Sequence, residues 1–269
     1  MTDDPPMWTR PFALLTAGHF LQAVAGSALI LLPVYLDHLG ADRTAVGVVM
    51  AASALGGLAV RPLVAWTLDR VGRRPTLFAG TAVLTAGMAA LGLVDRVGPF
   101  VVGVHALIGA GEAALFTGYF TLAADLVPER RRTEGLALFG ISGLVPLVIN
   151  PIAGQLAIAG ADFRWFFPAL GGLVALSSVT LAPLPETAPG TARPPPSARA
   201  VLDALRHRAL WPVWLATVVF AGLVALFMAF VTVAAADRGV PDPGVVWLTY
   251  AIGAVTVRLV GRGVPDRVG

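Results

Sequence analysis

Glu112 and His105 are the residues of this 269-residue chain best placed to handle a proton or a charged solute. Both fall inside one apolar run, 98–124, seven positions apart. Seven residues of helix make about two turns, which puts both side chains on one face. An ionisable group at that depth of an apolar segment is expensive to keep and marks a solute pathway or a proton relay. The plainer alternatives are a neighbour hydrogen-bonded to His105 and a glycine-rich helix contact satisfied by Glu112. His19 and Gln22, about one turn apart in the run 12–36, are further candidates for the wall of a cavity. So is Asn150, beside the kink expected at Pro151. His19 and His105 lie on different runs without metal-ligand spacing. No nucleotide-binding loop, zinc pattern or nucleophile elbow occurs, so the expectation is no cofactor, no metal and no enzyme.

A second charged constellation reads R-P-L-V-A-W-T-L-D-R-V-G-R-R-P, from Arg61 to Pro75, between two apolar runs. It reads as a loop. Gly72 supplies the positive φ that a short helix hairpin needs. Pro75 suits a first helical turn, where an N–H would be unbonded anyway. Arg73 and Arg74 can reach phosphates. Asp69 stands at a helix C-terminus, where a carboxylate opposes the helix dipole and needs a compensating partner. The stretch recurs at the end of the chain. Arg61 matches Arg258, and Asp69-Arg70-Val71-Gly72 matches Asp266-Arg267-Val268-Gly269, all at an offset of 197. From Gly47 to Gly72 against Gly244 to Gly269, eleven of 26 positions are identical. In an apolar chain, parallel repeats of this kind are a transporter architecture.

The elements that must hold these residues follow from composition. The chain is 57% hydrophobic and 13% charged, against about 25% charged in soluble domains, so its surface is expected to face a lipid bilayer. Cysteine is absent, which excludes disulfides and thiolate metal sites. All basic residues other than histidine are arginines, most of them in segments between apolar runs. The high pI therefore reads as membrane orientation rather than as a nucleic-acid footprint. Eight stretches approach the ~20 apolar residues of a membrane span: 12–36, 45–65, 75–94, 98–124, 134–157, 163–183, 210–236 and 244–261. Without water in the hydrocarbon core they should be helices. With the N-terminus in the cytoplasm, 15 arginines fall inside and 4 outside, which sets the orientation. Residues 185–209 form the one long connection. They begin as a Pro-rich linker and continue, from Ser197 to Arg208, as a short amphipathic helix with Val201, Leu202 and Leu205 on one face.

With these motifs in place the chain resembles the major facilitator superfamily of secondary transporters. Ala65-x-x-x-Asp69-Arg70-x-Gly72-Arg73-Arg74 is similar to the family signature after the second span, with alanine for its first glycine. Asp125-x-x-Pro128-x-x-x-Arg132, Pro185-Glu186-Thr187 and Asn150-Pro151-x-x-Gly154 are similar to its patterns at the fourth, sixth and fifth spans. The resemblance implies an all-α membrane protein, a helical bundle with a complete six-helix half at 1–184, a linker at 185–209 and the first two helices of a second half at 210–269. It implies a cytoplasmic charge network of Asp125, Arg132 and Glu186 with Arg70, Arg73 and Arg74. It also implies a latch from Asp69 to a helix of the second half, and from Asp266 to the segment near Thr133 to Gly135. The expected function is transport of a small solute by alternating access, as proton-coupled efflux, in the plasma membrane. The missing C-terminal helices are expected from a longer chain. The alternative expectation is a truncated membrane protein without transport of its own, serving as an assembly partner.

Overall fold

The computed structural model describes residues 6–158, 163–187, 198–240, 245–261 and Val264. Helices stand at all eight expected positions, and no strand occurs among the described residues. The first span is broken. Helix α1 (Arg10–Ser27) starts with the Thr9 hydroxyl accepting from the Phe12 N–H and with Pro11 in its first turn, both favourable there. A 3-10 turn, Ala28–Leu31, then leads into α2 (Leu32–His38). Pro33 has no N–H to offer the preceding turn, which is why the helix cannot run straight through.

Helix α3 (Arg43–Arg70) is capped by Asp42, which accepts from the Ala45 N–H at 2.7 Å. It runs 28 residues, with Pro62 inside it. The expected loop from Arg61 is therefore helix as far as Arg70, and only Val71 and Gly72 connect it to α4 (Arg73–Leu91). The reason is length: 28 residues reach about 42 Å, beyond a hydrocarbon core of about 30 Å. Polar residues end the apolar run without ending the helix. Then follow α5 (Pro99–Leu126), α6 (Arg132–Ile158) and α7 (Phe163–Leu181). Helix α8 (Ala198–Arg206) is the short amphipathic element, with Leu202 and Leu205 half-exposed. Helices α9 (Trp211–Asp237) and α10 (Val245–Gly261) complete the chain. Among the described residues, four segments are long and apolar enough to cross a membrane: Arg10–His38, Arg43–Arg70, Pro99–Leu126 and Phe163–Leu181. Pro189 and Pro194 to Pro196 of the linker lie outside the described residues.

The chain divides into two compact units: Met1–Gly190 with Ala251–Gly269, and Thr191–Tyr250. In the first, α5 packs between α3 and α4, α4 packs on α7, and α1 packs on α6 and α7. One continuous core joins them, with Phe12, Leu15, Leu84, Met88, Ile108, Leu115, Tyr119, Phe139 and Phe167 buried in it. Helices α3 and α5 meet backbone to backbone. A Cβ added to Gly109 would lie 2.0 Å from the Ser53 carbonyl oxygen, and one on Gly56 would lie 2.0 Å from that of Ala106. Small residues allow this approach where no apolar solvent gain drives helices together. In the second unit, Phe227 of α9 packs on Trp247 and Tyr250.

Candidate functional site

Two polar constellations stand out in the first unit. One ties the α3–α4 turn. Gly72 takes φ +127° and ψ 163°, a region essentially closed to residues with a Cβ. It also caps α4 and has no side chain to do so. The cap comes from Glu186, just past α7, whose Oε1 accepts from the Arg73 N–H at 2.8 Å and whose Oε2 accepts from the Arg74 N–H at 3.0 Å. A carboxylate on two free N–H groups at a helix start is favoured by both hydrogen bonding and the dipole. A Cβ at Gly72 would sit 2.6 Å from Glu186 Oε2, so glycine also makes room for the cap.

Arg73 closes the other half of the turn. Its guanidinium is buried and donates through Nη1 to the Leu68 carbonyl at 2.6 Å, covering a free carbonyl at the end of α3. Its Nε donates to Asp125 Oδ2 at 3.0 Å. The Thr187 hydroxyl donates to the same Oδ2 at 2.6 Å. Asp69 lies 3.5 Å from Arg73 Nη1, one turn back along the chain, with its side chain largely exposed. Arg74 donates through Nη2 to the Ala182 carbonyl at 2.6 Å. The structure thus brings together Asp69, Gly72, Arg73, Arg74, Asp125 and Glu186. It leaves out two residues expected with them. Arg132 lies 3.8 Å from Glu129, a local and exposed pair, because a 3-10 turn separates it from α5. Arg70 is exposed and makes no ion pair within 4.0 Å among the described residues. Asp266 and Arg267 lie outside the described residues, as does the latch expected of Asp266.

The second constellation is an open cleft of about 590 Å³ lined from α1, α3 and α5. Its polar lining is Gln22, Arg61 and Glu112, and its apolar lining includes Ala54, Leu58, Ala113 and Phe116. The spacing explains the surface. Positions 54, 58 and 61 form one stripe of α3, and 109, 112, 113 and 116 one stripe of α5. Glu112 leans on α1: a Cβ at Gly26 would be 2.6 Å from Glu112 Oε1 and 3.4 Å from Gln22 Nε2. Neither Glu112 nor Arg61 has an ion-pair partner within 4.0 Å among the described residues.

The two histidines are elsewhere. His19 is buried against Tyr119, Phe120 and Phe139. Its Nδ1 is 2.7 Å from Ser142 Oγ, and Ser142 donates its one hydrogen to the Phe139 carbonyl at 2.6 Å. Ser142 therefore accepts from His19, which fixes the proton on Nδ1. His105 is buried with both ring nitrogens unpartnered among the described residues, and it is absent from the cleft wall, although it shares the α5 face with Glu112. Asn150 is in α6, but its side chain lies outside the described residues. Arg61, expected in a charged loop, stands instead in α3 and lines the cleft. Its signal as a cleft residue was the i, i+4 spacing from Gly57, which the loop reading hid. Its repeat partner Arg258 also sits in a helix, α10, where a Cβ at Gly140 of α6 would be 3.3 Å from Arg258 Nε.

Comparison with known proteins places this geometry in context. Residues 14–269 match the Major Facilitator Superfamily profile. The inner membrane transport protein YajR of Escherichia coli (strain K12) is 35% identical over 88 residues, which is 31% of this chain and 19% of that protein. A chloramphenicol resistance protein of Pseudomonas aeruginosa is 28% identical over 214 residues, 73% of this chain and 48% of the relative. Among solved structures, the proton:xylose symporter XylE superposes with a TM-score of 0.58 at 13% identity, covering 66% of this chain and 44% of that one. The chain spans about half the length, or less, of these relatives.

Proposed function

The chain belongs to the Major Facilitator Superfamily, and on that premise we propose that it moves a small solute across a membrane by alternating access. The observation that carries this reading is the cleft itself: Glu112, on a segment apolar enough to span a membrane, faces open space beside Gln22 with no ion-pair partner among the described residues. An ionisable group kept at that depth is explained by a solute or a proton that it binds. Alternating access needs two bundle halves that rock about a central site, so the cycle is assigned to an assembly containing the second half in full.

Proton coupling rests on Glu112. The outward direction rests on the staphylopine export protein of Staphylococcus aureus, 26% identical over 128 residues of this chain. The N-terminus is placed in the cytoplasm and the protein in the plasma membrane. The arginine distribution supports the former, and the YajR relative, an inner membrane protein, supports the latter. The tied turn at Gly72 then lies on the cytoplasmic side, with its Arg73–Asp125 and Glu186 contacts holding α4, α5 and the end of α7 as one body while the halves move.

Proteoliposomes carrying the complete transporter, with an imposed pH gradient and a panel of small solutes, test the reading. Gradient-driven flux of at least one solute is expected. Glu112→Gln should abolish the dependence on the gradient. Full gradient-driven flux in Glu112→Gln would remove the proton role, and no flux with any solute would remove transport.

A further inference from the structure

We propose that the cleft between α1, α3 and α5 binds a zwitterionic solute carrying an amine and a carboxylate, with Glu112 and Gln22 on the amine and Arg61 on the carboxylate. The proposal deepens the transport reading and rests on it for the word solute, but its chemistry comes from the cleft alone.

The cleft presents one anion and one cation that are not paired with each other: their oxygen and nitrogen atoms are more than 4.0 Å apart. Two opposite charges on neighbouring helices would ordinarily close into an ion pair. Here the packing keeps them apart. Gly57 of α3 lies against Gly109 and Ala113 of α5. Arg61 is one turn further along α3, and Phe116 is one turn beyond Glu112 on α5. The Arg61 backbone is thus offset from that of Glu112 by about one helical turn, roughly 5 Å along the axis. Glu112 is also drawn the other way, onto Gly26 and Gln22 of α1. A ligand with a single charge would answer one of these groups and leave the other facing it unanswered. A solute with both charges answers both, and Arg is suited to fork a carboxylate. Leu58 and Phe116 give its remaining part an apolar wall.

The test uses three matched probes on the purified chain in lipid nanodiscs: L-phenylalanine, 2-phenylethylamine and 3-phenylpropionate, each titrated by calorimetry. Phenylalanine is expected to bind at least tenfold more tightly than either of the others. Arg61→Gln should bring phenylalanine down to the level of phenylethylamine, and Glu112→Gln should bring it down to the level of phenylpropionate. Arg61→Lys should recover part of the preference. Phenylalanine binding no tighter than phenylethylamine overturns the proposal, and so does the absence of binding by all three. The probe comparison in the unmodified chain decides the matter even if a variant fails to fold. Glu112-dependent binding of phenylethylamine without any gain from the carboxylate sinks the zwitterion and leaves transport standing. Transport itself fails only in the flux experiment above.

Discussion

The α3–α4 turn and the α1–α3–α5 cleft hold the same kinds of side chain and treat them in opposite ways. At the turn, Arg73 has the Leu68 carbonyl and Asp125, and Glu186 has two backbone N–H groups. In the cleft, Arg61 and Glu112 face space rather than each other. A satisfied network fixes one arrangement, whereas a polar group left without a partner costs free energy in the empty state. The turn is therefore a structural joint, and the cleft is where binding has something to gain. Charge alone does not separate the two roles; only the count of partners does.

The largest effect should come from the backbone that shapes the cleft. Gly109→Ala pushes a methyl to 2.0 Å from the Ser53 carbonyl, so α3 and α5 must part, at a cost of about 3 kcal/mol. Loss of a monodisperse folded species in detergent, with a strongly lowered Tm, is expected; a normal Tm would mean the two helices have slack. Gly72→Ala comes next. Its φ of +127° is strained for any L side chain, and the new methyl displaces the Glu186 cap, together about 2 kcal/mol. Thermal unfolding should show a shift half to two-thirds as large as for Gly109→Ala.

Glu186→Ala removes only the cap, and an exposed cap is worth about 1 kcal/mol. Faster hydrogen exchange at the Arg73 and Arg74 amides is the specific readout. Unchanged exchange there would show that the turn does not depend on Glu186. The smallest effect sharpens the contrast from the other side. Glu112→Gln takes away a charge without an ion-pair partner among the described residues, so stability should move upward if at all, while binding and coupling suffer. A drop as large as that of Glu186→Ala would falsify the division between joint and cleft.

Most of the fold was legible in the sequence because spanning helices need long apolar runs and short polar breaks, and each of the eight runs became a helix. The reading failed where a helix outlasts its apolar segment, as α3 does from Arg61 to Arg70. There the polarity pattern reports where the hydrocarbon is expected to end, while hydrogen bonding decides where the helix ends. The turn was legible through Gly72 and its flanking charges. Arg132 pairs with Glu129 rather than at the turn, since a motif gives the order of residues and not the 3-10 turn that carries Arg132 away. His105 and Glu112 share a helix face, as their spacing requires, but only Glu112 lines the cleft, because neighbouring helices bury His105.

By itself the sequence determined the membrane class, the helix positions, the repeat and the special backbone of Gly72, all of which depend on local composition, periodicity and sterics. Only the tertiary structure decided that Glu186 caps a helix 113 residues away, that His19 is held by Ser142, and that Arg61 joins Gln22 and Glu112 in one cleft. Those pairings depend on which helices pack together and at what rotation. That is set by the whole arrangement of close backbone contacts, such as Gly109 on Ser53, and no short window of the chain contains it.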